Sequence, residues 1–340
     1  MPTPGLESRT RRRTLYTNET YQQARAALLH LPPCAAAIPR PAAPQERLEA
    51  AVWREICWPS EVFSHPLGIT CVRPGANLEM EVESAGAAAV LLGALLPAKP
   101  LGEGDDAAQG IAGLRVAHVS ERAVALSRPD GASVRLTGLN RSTFLGVLAQ
   151  YHRSLVDNDL EAVGTGVVCG RLSHGLNDCP APEGALPGAR RTAAMDVLAS
   201  ALLRRSALFH TTTTSYWVTV WQALGVEEWR CELYYAPGTD AGDALLKALR
   251  DPHFGVGSSG RSEHDERVYD EDGRERARIV TFETATMRGA GLQVRLRHSP
   301  APEAARAYRL YAHGPAAVEE GRLRILFPTL AGNQISAEHS

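Results

Sequence analysis

"GITCVRPGANLEMEVES", residues 68–84, decides the fold class. The first half reads as a strand, "RPGAN" as a turn, and Leu78, Met80 and Val82 alternate as the inward face of a second strand. Immediately afterwards "AGAAAVLLGALL" (85–96) abandons the alternation for a continuous small and apolar run that stops at Pro97. A hairpin that runs directly into a helix points to mixed helix and sheet, the α+β class.

Downstream, "LRVAHV" (114–119) and "AVALSRPDGASVRLTGL" (123–139) predict three more strands, the last two joined at Asp130-Gly131. A helix follows from about 142 to 157. The second half repeats this order. "TTTTSYWVTVWQ" (211–222) and "EEWRCELYYAPG" (227–238) predict strands, and "DAGDALLKALRD" (240–251) a helix. "ERVYDEDGRERARIVTFE" (266–283) predicts a hairpin turning at Asp272-Gly273, "GLQVRLRHS" (291–299) a strand, and "APEAARAYRLYA" (301–312) a helix. The two Asp-Gly turns are 142 positions apart. The expected organisation is therefore two modules, each roughly ββαβββα, at 59–160 and 191–330. A Gly/Pro-rich linker (161–190) joins them, and residues 331–340 form a disordered tail.

Upstream, "SRTRRRTLYTNETYQQARAALLHL" (8–31) sets four arginines before a helix. Thr20 and Gln23 have capping-box spacing, and Tyr21, Ala24, Leu28 and Leu31 share a helical face. Residues 1–14 show no apolar period and are expected to be a disordered arginine-rich arm. Residues 15–58 are expected to be a helical segment around a Pro-rich connector, with Leu48, Val52 and Ile56 on the stripe of its second helix.

The totals exclude several classes. With 340 residues, 44% of them hydrophobic and 22% charged, the chain is long enough to bury a core without metal or disulfides. A net charge of −2 rules out a uniformly basic surface, so nucleic-acid binding would need a local patch. The six cysteines are scattered, which suggests reduced thiols and a cytoplasmic location. No run approaches the roughly 18 apolar residues a membrane helix needs, so no membrane association is expected.

Four stretches have spacings worth testing. Arg9, Arg11, Arg12 and Arg13 would contact phosphates through their guanidinium forks. "GTGVVCGRLSHGLNDCP" (164–180) places Cys169, His174 and Cys179 as C-x4-H-x4-C, similar to the latter part of a zinc knuckle, with Gly166 where the first cysteine belongs. Three of four tetrahedral ligands make an incomplete structural zinc site. "FGVGSSGRS" (254–262) has G-x-G-x-x-G spacing at Gly255, Gly257 and Gly260, but follows a helix where a dinucleotide loop would follow a strand. Gly257, Ser258, Ser259, Gly260 and Arg261 remain a possible phosphate nest. The acidic-His stretch 263–272 would hold a divalent metal for phosphoryl chemistry, or else be a solvated mixed-charge hairpin. No catalytic set is complete, and no cofactor is implied. The sequence supports a binding or regulatory protein that touches nucleic acid through the arm or a protein through its modules. A nucleotide-handling enzyme using 263–272 and a protein–protein scaffold are the alternatives.

Overall fold

The computed structural model describes residues 5–32, 35–56, 65–102, 109–162, 167–168, 171–172, 193–212, 217–222, 228–235, 241–256, 262–269, 271, 273, 275–283 and 291–298. Three helices come first: α1 (Leu6–Thr17), α2 (Tyr21–Leu29) and α3 (Ala43–Ile56). The first module continues with β1 (Ile69–Pro74), β2 (Leu78–Val82), α4 (Ala85–Leu95) and β3 (Ala98–Pro100). It ends with β4 (Arg115–Val119), β5 (Ala123–Ser127), β6 (Ser133–Thr137) and α5 (Arg141–Asp157). Three short strands follow, β7 (Leu160–Ala162), β8 (Val167–Val168) and β9 (Arg171–Leu172). The second half comprises α6 (Ala193–Leu203), α7 (Leu208–Thr211), β10 (Trp217–Gln222), β11 (Glu228–Tyr235), α8 (Ala241–Leu249), β12 (Ser262–Tyr269), β13 (Glu275–Glu283) and β14 (Gly291–His298).

The protein is α+β, and its two large sheets have the same plan. The first runs β1-β2-β6-β5-β4 and the second β10-β11-β14-β13-β12. In each, the opening hairpin is antiparallel, its second strand pairs in parallel with the last strand, and the remaining pairs are antiparallel. A helix (α4 or α8) makes the crossover between hairpin and meander. The local signals explain why these pieces form. Thr20 caps α2 in a reciprocal box with Gln23, Ser84 caps α4, and Asn140 caps α5. Gly131 takes φ +83° at the β5–β6 turn, a conformation glycine adopts without steric cost.

Within the first sheet, Met80, Val82, Val124, Leu126, Val134 and Leu136 point inward, while Arg73 pairs with Glu79 and Glu81 on the outer side. The buried side chains of both halves form one continuous core, from Tyr16 to Leu296. The halves are welded at α3 and α6, which run antiparallel. Glu49 of α3 and Arg204 just past α6 are fully buried. Both guanidinium–carboxylate bonds are 2.7 Å, and Ser200 Oγ (2.6 Å) and Gln45 Nε2 (2.9 Å) also donate to the carboxylate. At the other end of the same helix pair, Arg54 binds Asp196.

Several expectations change. The arm is not a free tail: residues 6–17 are helical and packed, so the boundary at residue 14 falls inside α1. The helix α6 was not anticipated, although Met195, Leu198, Ala199, Leu202 and Leu203 follow helical spacing and are buried. Leu160–Ala162 pairs with β3, so the first module reaches into the expected linker. The second module's final helix lies outside the described residues.

Gly255 closes the turn that follows the C-terminal end of α8. Its N–H donates to Asp251 O, and a Cβ there would sit 2.2 Å from Leu249 O and 2.6 Å from Asp251 O. Both obstacles are backbone. Gly255→Ala is therefore expected to destabilise the protein by about 1–3 kcal/mol, as overpacking does. A urea unfolding midpoint equal to wild type would show that this contact relaxes freely.

Candidate functional site

The four arginines of the opening stretch are spent unequally. Arg13 is buried, donates from Nε to Glu19 Oε2 (2.6 Å) and also reaches Ala37 O. Arg12 binds Asp251 and lies 5.2 Å over the Phe254 ring. Arg9 donates to Ala35 O (3.1 Å). Only Arg11 is well exposed, paired with Glu7 one turn away (2.7 Å). Tyr16 completes the anchoring: it stacks on Phe254 (5.5 Å between centroids) and donates to Ala248 O (2.8 Å). Three of the four guanidiniums thus tie α1 to the rest of the fold.

Among the acids of 263–272, Asp265 accepts both a 2.8 Å and a 2.7 Å bond from Arg278, which also binds Asp243. The Arg278 guanidinium holds the Asp265 carboxyl below its ordinary range. These residues form ion pairs across β12, β13 and α8, and no group of three metal-ligating side chains gathers among the described residues. Cys169, His174 and Cys179 lie outside the described residues, as do Gly257, Ser258, Ser259, Gly260 and Arg261. Of the aromatic residues at 217–235, Trp229 is core: it is buried, and its indole donates to Met195 O (3.1 Å).

Two features that the sequence did not announce stand out. One is the seam between the halves. His65, in the link before β1, donates to Glu83 Oε2 from its backbone N–H (2.8 Å) and from Nδ1 (3.0 Å). The carboxylate thus orients the ring. The His210 ring of α7 lies against this ring, tilted by 40° with 4.3 Å between centroids, and its own Nδ1 is buried without a partner. Two residues after His65, Leu67 adopts φ +63°, ψ +10°, a left-handed conformation that costs a bulky residue about 1–3 kcal/mol.

This seam is sensitive to protons. Burial, and then the neighbouring His65, push the His210 pKa below its ordinary value, while Glu83 opposes them. The unfolded chain therefore takes up this proton before the folded chain does, and stability falls as pH drops below about 6.5. Burial pushes His152 the same way. Urea unfolding at pH 7.5 and pH 5.0 is expected to show a loss on acidification that is smaller in His210→Phe, which keeps an aromatic ring against His65 but cannot titrate. Identical pH dependence in the two proteins would remove His210 from the account.

The second feature is the flank of α5. Its core face carries Phe144, Val147, Leu148, Tyr151 and Leu155. A second row, Leu145, Ala149, His152 and Val156, repeats with steps of four, three and four, rotated from the core face by roughly 110° at 100° per residue. Leu145 is 41% exposed and Val156 74%. Leu101 (66% exposed) extends this patch, since its N–H bonds to Asp159 O just beyond the helix.

No family model matches the chain, and no curated protein or solved structure matches it. Among the described residues no helix is long and apolar enough to cross a membrane.

Proposed function

We propose that this is a binding protein that holds a protein partner on the flank of α5. The observation that carries this reading is the row of exposed Leu145, Ala149 and Val156 with the half-buried His152 among them, continued by Leu101. Single exposed leucines are ordinary on protein surfaces. A row at heptad spacing on a 17-residue helix has the pattern of a face that receives another helix. The frame behind it supports the same use. Asn140 caps α5 through a 2.9 Å bond from Thr143 N–H, and the helix is seated on α4, so little ordering entropy is lost on binding.

Contact with nucleic acid through Arg9, Arg11, Arg12 and Arg13 has weaker support, since Arg13 is buried against Glu19 and Arg12 is engaged by Asp251. Phosphoryl chemistry at 263–272 has less, because Asp265 is committed to Arg278. A cytoplasmic location accords with Cys71 and Cys231, two buried free thiols.

A photo-crosslinking amino acid tests the interface in cells of the native host. Placed at Ala149, within the row, it is expected to give a discrete protein adduct. Placed at Gln150, one position round the helix, it is expected to give none. Equal labelling at both positions, or none at either, would remove the α5 flank as a binding face.

A further inference from the structure

Resting on that protein-binding reading, we infer that the partner on this face is a second copy of the chain, with α5 lying antiparallel against its mate. The row is complementary to itself. When it is reversed about its midpoint, Leu145 meets Val156 of the other copy and Ala149 meets His152, so each contact occurs twice, as two-fold pairing requires. The small Ala149 near the middle lets the two backbones approach closely.

The ends carry the charge that this arrangement needs. Arg141 opens α5 and Asp159 lies two residues beyond its end, so the two charges stand at opposite ends of the helix, and both are exposed. Antiparallel pairing brings Arg141 of one copy to Asp159 of the other at both ends. A parallel pairing would set arginine against arginine and aspartate against aspartate. The helix dipoles are also opposed favourably in the antiparallel arrangement.

The contact is small. One helix flank with Leu101 falls short of the roughly 1,200 Å² of a standard stable interface, so the dimer is weak and builds up only as concentration rises. His152 lies inside it, half-buried already in one copy. Acidification that charges His152 is expected to weaken the pair.

Sedimentation equilibrium of the full chain over a concentration series decides the matter. Wild type is expected to pass from monomer to dimer, with the dimer weakened by salt through the Arg141–Asp159 contacts. Val156→Glu is expected to raise the dissociation constant at least about tenfold, because pairing would bury a carboxylate. Arg141→Asp is expected to weaken the dimer, and adding Asp159→Asn, which keeps a residue tolerant of φ +53°, to recover part of the loss. These side chains are exposed, so thermal unfolding of each variant should match wild type and confirm folding. Gln150→Glu, off the row, is the control expected to leave the dimer intact. A chain that stays monomeric at every concentration, or a dimer indifferent to Val156→Glu, overturns the inference. A monomeric chain whose Ala149 crosslinker captures a different protein overturns self-pairing and leaves the protein-binding reading standing. A monomeric chain with no adduct removes both.

Discussion

Replacing Glu49 with alanine is expected to cost roughly 3–5 kcal/mol of folding stability, because it leaves the buried Arg204 guanidinium without its anion. The substitution also removes the acceptor of Ser200 Oγ and one of the two acceptors of Gln45 Nε2, which keeps Ser133 O (2.9 Å). Arg204 would retain only Pro39 O (2.7 Å). The cost comes from uncompensated desolvation more than from lost attraction, and this makes a second expectation possible. Glu49→Leu combined with Arg204→Met removes both charges, fills similar volume and is expected to recover most of the loss. Urea denaturation followed by the fluorescence of the buried Trp53 and Trp229 reads both. A Glu49→Ala protein within about 1 kcal/mol of wild type would mean that water reaches the network.

The N-terminal arginines give the second large effect, and it separates them. Arg13→Ala leaves Glu19 buried and unpaired, and is expected to lose about 3–5 kcal/mol. Arg11→Ala, on an exposed pair one helical turn long, is expected to change stability by about 0.5 kcal/mol or less. Deleting residues 1–17 adds the loss of Tyr16 from beneath Phe254 to that of Arg13. A free arm would have left the melting temperature unchanged on deletion. A truncated protein that melts with wild type would restore that picture and contradict the packing of α1.

The contrast between α1 and the hairpins shows what the sequence can and cannot disclose. The hairpin at 68–84 and the turn at Asp130-Gly131 are local: strand alternation and a glycine at positive φ are written within a few residues. The buried positions of α1 are Thr10, Arg13, Tyr16 and Thr17, and three of these four are polar. A search for apolar periodicity therefore passes over a helix whose inward face is satisfied by Glu19, Ala37 and Asp251 from elsewhere in the chain. The period of α6 is legible in Met195, Leu198, Ala199, Leu202 and Leu203. The seam was not legible at all. His65 and His210 are 145 positions apart, and no spacing rule relates residues that distant. The row on α5 was in plain view, but only the fold shows which of a helix's apolar positions are left uncovered.

The pairing of α3 with α6 also has a two-fold character. Glu49 and Asp196 stand 147 positions apart, Arg54 and Arg204 stand 150 apart, and the first strands of the two sheets begin 148 apart. Exchanging the halves turns the Glu49–Arg204 pair into the Asp196–Arg54 pair. Each helix thus offers one acid and one base to its counterpart. The two crossed pairs fix the register of α3 against α6, since sliding either helix by one turn would separate both pairs at once.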